Sequence, residues 1–258
     1  MTTVILEKHE GFAVVTLNRP AAMNALSREL RGDFVEVFKT CTSDPAVRAL
    51  ILTGNGKAFC AGFDLKELGS SNEENTAEEA DNIVADAMDA FQGPIIGAIN
   101  GHCITGGLEM ALACDILIAS EDARFADTHA RVGMLPGWGL SQKLPRLIGL
   151  SRAREMAFTG APIFAQQAYE WGLVNHVVPQ VELLSTAKRI ASDICACVPE
   201  ALKQYQDLIS EGYSMPLDEA LAWEKKSAIA WASHATADAI EERRRGVLKK
   251  GRDEKETP

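Results

Sequence analysis

The chain has 258 residues, 47% of them hydrophobic and 24% charged, enough for one large domain or two small ones and too apolar for a solvated coil. Thirty-six acidic against 26 basic side chains leave a net charge of −10, which repels polyphosphate at long range and excludes nucleic acid as a general partner. No stretch approaches the roughly 20 apolar residues of a membrane span, and the N-terminal residues carry no signal-peptide core. Six scattered cysteines without a CxxC pair are expected to be buried, reduced thiols in a cytoplasmic protein.

Residues 12–17 (Phe-Ala-Val-Val-Thr-Leu) predict a strand, ended by the turn Asn18-Arg19-Pro20. Apolar residues at helical spacing (Leu26, Leu30, Phe34, Val37, Phe38) predict a helix over 26–41, broken by Asp44-Pro45. Residues 49–53 form the next strand and run into Gly54-Asn55-Gly56. The polar, acidic stretch 69–79 predicts a surface loop that leads into a helix at 80–91. Residues 94–99 and 115–119 are short apolar runs that suit buried strands. Beyond residue 151 only 173–178 reads as a strand, while 181–197, 200–211, 216–233 and 236–249 read as helices. The last of these ends in a basic cluster of Arg243, Arg244, Arg245, Lys249, Lys250 and Arg252. An α/β core with a C-terminal helical subdomain is the expected architecture, divided as 1–198 and 199–258.

Two segments offer chemistry. Residues 56–65 follow a strand, and the small residues Ala58, Ala61 and Gly62 let a ligand approach the backbone, although an ordinary strand-to-helix turn reads equally well. In residues 100–114, Gly106 and Gly107 lead straight into a helical sequence whose free N–H groups suit an anion or a developing oxyanion. Glu109 lies in the first turn of that helix, where an acid also serves simply to complement the dipole. No GxxxxGK[ST], no GxGxxG after a strand and no GxSxG elbow is present, so the chain carries no signature of a P-loop, dinucleotide site or α/β-hydrolase nucleophile. His102 has no acidic or thiol partner at metal spacing and reads as structural. His9, His176 and His234 sit in no motif.

Taken together, the blocks Leu17-Asn-Arg-Pro-Ala-Ala-Met-Asn-Ala-Leu26, Lys57-Ala-Phe-Cys-Ala-Gly-Phe-Asp-Leu65, the run from Asn100 to Asp115 and Gly133-Met-Leu-Pro-Gly-Trp-Gly139 resemble the enoyl-CoA hydratase/isomerase (crotonase) superfamily. Thr159-Gly-Ala-Pro-Ile and Ala168-Tyr-Glu-Trp-Gly-Leu-Val174 extend the resemblance over essentially the whole chain. It implies a crotonase-like spiral of ββα units, with C-terminal helices that assemble a homotrimer or a dimer of trimers. It also implies an acyl-CoA thioester as ligand, with no metal and no cofactor beyond the coenzyme A of the substrate.

Carried over residue by residue, the resemblance makes the N–H groups of Phe63 and Gly106 the donors to the thioester oxygen. Ala22, Met23, Ala25, Ala61, Asp64, Leu65 and Lys66 would join them around the CoA, with Ala21 standing where relatives often place a basic residue. Hydratases of this superfamily use two glutamates. The first matches Glu109. The second falls, without a gap, on His129, or on Asp127 if the register is shifted by two. Trp138 stands where hydratases usually have a small residue and implies either a reshaped or narrowed acyl pocket or simply a tryptophan packed in the core. The leading expectation is hydration of a 2-enoyl-CoA to a 3-hydroxyacyl-CoA. The alternatives are Δ3,Δ2-enoyl-CoA isomerisation by Glu109 alone and a non-catalytic acyl-CoA binding protein.

Overall fold

Four apolar runs pair in parallel at the centre of the molecule. The computed structural model describes residues 2–70, 82–232, 241 and 244. Its larger sheet has six strands in the order β1-β2-β3-β5-β7-β10, and its smaller sheet has four in the order β4-β6-β8-β9. The strands are β1 (Val4–Lys8), β2 (Phe12–Leu17), β3 (Ala49–Gly54), β4 (Ala58–Cys60), β5 (Ile95–Ile99), β6 (His102–Ile104), β7 (Ile116–Ser120), β8 (Arg124–Ala126), β9 (Ile163–Phe164) and β10 (His176–Val178). Each of the successive pairs β3/β4, β5/β6 and β7/β8 sends its first strand to the large sheet and its second to the small one. A helix then leads on to the next pair. This is the ββα arrangement expected of the chain.

The large sheet is buried on both faces, as parallel sheets are. Side chains alternate along each strand, so two separate cores form. One face carries Ala13, Val15, Leu50, Leu52, Ile95 and Ile99 and packs under α1 (Arg28–Thr42). The other carries Phe12, Val14, Ile51, Ile96 and Ile118 and is covered by Leu183, Ala187 and Ala191 of α9 (Leu183–Cys195). Helix α1 begins two residues later than the apolar period predicts. Ser27 is its N-cap and accepts a hydrogen bond from the Leu30 N–H at 3.2 Å, which stops the helix from extending back to Leu26.

Between α1 and α9 lie α2 (Leu65–Ser70), α3 (Ile83–Ala90), α4 (Gly106–Leu112), α5 (His129–Val132), α6 (Leu140–Ile148), α7 (Leu150–Thr159) and α8 (Ala165–Glu170). Strands β1, β4, β6, β8 and β9 are absent from the sequence expectation, and the run at 173–178 contracts to β10. The chain divides after Pro199 into two compact units. In the second, α10 (Pro199–Gly212) and α11 (Leu217–Ala232) bury no side chain. The predicted loop from residue 71 onward and the helix at 236–249 with its basic cluster lie outside the described residues, except that Arg244 pairs with Glu241 at 2.6 Å. No described helix is long and apolar enough to cross a membrane. Cys41, Cys60 and Cys103 are buried, Cys114 and Cys195 are partly buried, and Cys197 is exposed, so burial holds for only part of the expected set.

Candidate active site

The small sheet positions the site. Its parallel strands β4, β6 and β8 lie side by side, and the segments that leave their C-terminal ends are 61–65, 105–109 and 127–129. Ligands of parallel sheets bind beyond such ends. The three segments line one cavity of about 70 Å³, together with Met134, Leu135 and Trp138.

Close backbone approach brings the first two segments together. Gly62 has φ +84°, a left-handed conformation that glycine adopts without strain, and a Cβ placed on it would stand 3.2 Å from the Gly106 nitrogen. Gly107 lies flush against β4, where a Cβ would come within 2.2 Å of the Cys60 carbonyl oxygen. Among the described residues, the N–H groups of Phe63 and Gly106 donate to no protein acceptor. Two unsatisfied donors therefore sit together at the cavity wall.

Thr105 forms the turn from β6 into α4 with φ 54°, which is strained for a β-branched residue and costs on the order of 1–3 kcal/mol. Three contacts hold it there. Its N–H donates to the Ala126 carbonyl at 2.8 Å, its Oγ1 accepts from the Thr128 N–H at 3.1 Å, and the two threonine hydroxyls meet at 2.5 Å. The strained turn thus ties the second segment to the third.

Two titratable side chains face each other inside the cavity. Glu109 of α4 is 2% exposed and His129 at the start of α5 is 5% exposed. Glu109 Oε1 accepts the Trp138 N–H at 2.8 Å, and its Oε2 stands 3.5 Å from His129 Nε2. On the far side of the ring, His129 Nδ1 lies 2.7 Å from Asp127 Oδ1. Burial opposes a charge on His129 but is outweighed by the hydrogen bonds to Asp127 and Glu109 and by their charges, so its pKa rises to about 9. Burial likewise opposes the Asp127 carboxylate, and the hydrogen bonds from the His129 ring and backbone N–H overcome it, leaving that carboxyl below the ordinary value. The ring of Trp138 packs on that of Phe63, 5.5 Å between centroids, and both line the cavity.

The remaining positions singled out in the sequence form a neighbouring rim. Ala22 and Met23 belong to the turn after β2, where Met23 and Asn24 both have positive φ. The Ala61 N–H donates to the Met23 carbonyl at 3.1 Å and the Leu26 N–H to the Gly62 carbonyl at 2.8 Å, so the 22–26 and 61–65 segments run together. Ala25 offers its carbonyl to the Arg19 guanidinium at 2.6 Å, and Asp64 pairs with Arg19 at 3.1 Å. The Asp64 side chain is therefore engaged with protein. Leu65 is exposed, as is Lys66 one residue on.

Sequence reasoning missed Asn24 and Thr105. Buried Asn24 donates to the carbonyls of Asn55, Ala58 and Phe59 at 2.7–3.2 Å and pins this rim to the turn before β4. An Asn inside a turn signal was the only clue to it, and nothing marked Thr105. His102 lies in β6 and lines a separate polar cavity with Lys57, Asp122 and Arg124, away from Glu109.

A buried carboxylate and an imidazole converging under two free backbone donors define an acid–base site in an α/β protein. Residues 7–249 match the enoyl-CoA hydratase/isomerase family, and the chain belongs to that family. It is 40% identical over 233 residues to a short-chain-enoyl-CoA hydratase of Clostridium acetobutylicum, covering 88% of each chain. It is 37% identical over 224 residues to a crotonyl-CoA hydratase of Syntrophomonas wolfei, covering 86% of each. The crystal structure of an enoyl-CoA hydratase from Bacillus anthracis superimposes with a TM-score of 0.86 at 36% identity, over 96% of both chains. The fold is the crotonase-like one.

Proposed function

We propose that the protein is an enoyl-CoA hydratase in fatty-acid or related acyl-CoA metabolism, which adds water across a 2-enoyl-CoA to give the 3-hydroxyacyl-CoA. The observation that carries this reading is the pair Glu109 Oε2 and His129 Nε2, 3.5 Å apart in one cavity beside the free N–H groups of Phe63 and Gly106. Both oxygens of Glu109 face donors, which suits a carboxylate acting as base. It takes one proton of a water as that oxygen bonds to C3. The C2=C3 electron pair moves toward the thioester, and the charge that builds on the carbonyl oxygen is met by the two backbone donors. Such a donor is worth about 10²- to 10³-fold in rate. Imidazolium His129 then delivers its Nε2 proton to C2. The proton held by Glu109 crosses to His129, and the sum is one water added. His129 thus takes the place of a second glutamate.

Ala22, Met23, Ala25, Ala61, Leu65 and Lys66 border the CoA in this reading, with Asp64 acting through Arg19. The chemistry draws on no metal and on no cofactor beyond the substrate's own CoA. The small cavity lined by Trp138, and relatives named short-chain and crotonyl-CoA hydratases, support a short acyl group. Large apolar side chains exposed on α10 and α11, among them Tyr205, Ile209, Leu221 and Ile229, support assembly into a homotrimer or a dimer of trimers. The thiols fit the reducing cytoplasm.

The test is crotonyl-CoA, followed by loss of its conjugated thioester absorbance. The native protein is expected to form 3-hydroxybutyryl-CoA, and Glu109→Gln to lose about 10²- to 10⁴-fold in kcat with an unchanged Tm. A native protein that instead converts a 3-enoyl-CoA to the 2-enoyl isomer is an isomerase. One that binds acyl-CoA without turning over either substrate is a binding protein. Both outcomes overturn the proposal.

A further inference from the structure

We infer that Asp127 is the positioning residue of His129, and that the two side chains act as one unit in which Asp127 holds the ring and fixes where its proton is offered. The inference rests on the hydratase reading above. One oxygen, Asp127 Oδ1, accepts twice from the same residue, from the His129 backbone N–H at 3.1 Å and from ring Nδ1 at 2.7 Å. These two contacts fix the ring's orientation and commit Nδ1 to carry a proton. Nε2 is then the only ring nitrogen free to gain or lose a proton, and it is the one that faces Glu109.

The charge state follows from the same geometry. Asp127 and Glu109 are each at most 3% exposed and flank the ring from opposite sides. With a neutral imidazole, two buried carboxylates would stand uncompensated, and a lone pair on Nε2 would point at Glu109 Oε2. With an imidazolium, both contacts become attractive and the buried net charge falls in magnitude by one. Among the described residues, the charged side chains that line the two cavities touching the ring, or share its helix, are these. Glu109 comes from α4, and Asp127 precedes α5. Arg131 of α5 is turned away, with Nε and Nη2 both on the Thr159 carbonyl. Arg154 of α7 lines the apolar cavity behind Asp127. The raised pKa of His129 agrees with this balance. A carboxylate at 127 therefore keeps a proton donor charged at a pH where free imidazole has lost its proton.

Asp127→Asn tests the idea, because the amide oxygen can still accept both hydrogen bonds while the charge is removed. With crotonyl-CoA, the variant is expected to keep kcat within about threefold of native at pH 6 and to lose about three- to 25-fold at pH 8.5, with KM little changed. The alkaline limb of its kcat profile should move down by roughly 1–2 pH units, the ordinary worth of a neighbouring opposite charge. Ring 15N resonances of His129 should show imidazolium at pH 8 in the native protein and a ring about half to nine-tenths neutral in Asp127→Asn. An active native enzyme whose alkaline limb stays in place in the variant, or a variant that loses the same factor at every pH, overturns the inference. So does a neutral His129 at pH 7 in the native protein, a result that does not depend on activity. Failure of the native protein to hydrate crotonyl-CoA overturns the hydratase reading instead, and the resonances still decide whether Asp127 keeps the ring charged.

Discussion

Strands β2, β3, β5 and β7 are five or six residues long and buried on both faces, whereas β4, β6 and β8 have three residues each and end at the cavity that holds Glu109 and His129. The first set is held by side chains. Leu50 and Leu52 fill one core and Ile51 the other, and every residue added to such a strand adds buried apolar area. The second set is too short for that. It is held by backbone approach, with Gly107 flush on Cys60, Gly62 against Gly106, and Thr105 bent into a strained turn tied to Thr128. The difference teaches that stability and chemistry are built by different means in neighbouring layers, so substitutions in each should fail differently.

The largest effect is expected where the core is filled. Leu52 is fully buried in β3, between β2 and β5. Leu52→Ala should cost about 2–5 kcal/mol, since it removes buried methyl groups and leaves a cavity that the paired strands cannot close. Thermal unfolding should show this as a drop in Tm of roughly 5–15 °C. Turnover per folded molecule with crotonyl-CoA should stay within twofold of native. A loss of kcat beyond that in the folded fraction would break the separation between the two sheets.

Next comes Gly107→Ala. The added Cβ would meet the Cys60 carbonyl oxygen at 2.2 Å and its carbon at 2.8 Å, both rigid backbone, so α4 must move away from β4. Overpacking of this kind costs about 1–3 kcal/mol. Here activity should fall further than stability implies, by roughly tenfold or more in kcat, because the same movement separates the Gly106 and Phe63 donors and shifts Glu109. Steady-state kinetics beside a melting curve checks it. A lowered Tm with native kcat would mean that the close approach supports the fold and not the site.

The contrast between the sheets also explains what could be read from the sequence. Residues 12–17 and 49–53 were legible as strands because an apolar run of that length, bounded by turn residues, has few other uses. Gly106, Gly107 and Glu109 were legible as a glycine-led helix start, and the family's motif placed His129. The three-residue strands carry no period, so β4, β6 and β8 left no mark. Asp127 could be noticed only as a possible stand-in for a glutamate. Its actual contact is with the residue two places on in a loop, which no spacing rule marks. Asn24 and Thr105 owe their importance to carbonyls and hydroxyls far along the chain, at Ala58, Phe59, Ala126 and Thr128.

The smallest effect sharpens the point most, because it falls on the adjacent glycine. Gly106 does not have a left-handed φ, and a Cβ there would meet only ordinary contacts, with Gly62 Cα at 3.4 Å, Leu26 Cδ1 at 3.6 Å and Phe63 Cδ2 at 3.7 Å. Alanine also restricts the unfolded chain more than glycine, a gain of about 0.4–1 kcal/mol at compatible sites. Gly106→Ala should therefore melt at the native temperature or slightly above it. Its backbone N–H is retained, so kcat should change far less than in Gly107→Ala. Two consecutive glycines would then separate by role, Gly107 required for the space it leaves to Cys60 and Gly106 for the N–H that any residue supplies. A Gly106→Ala protein as unstable as Gly107→Ala would show instead that the whole turn, and not one backbone contact, sets the distance between α4 and β4.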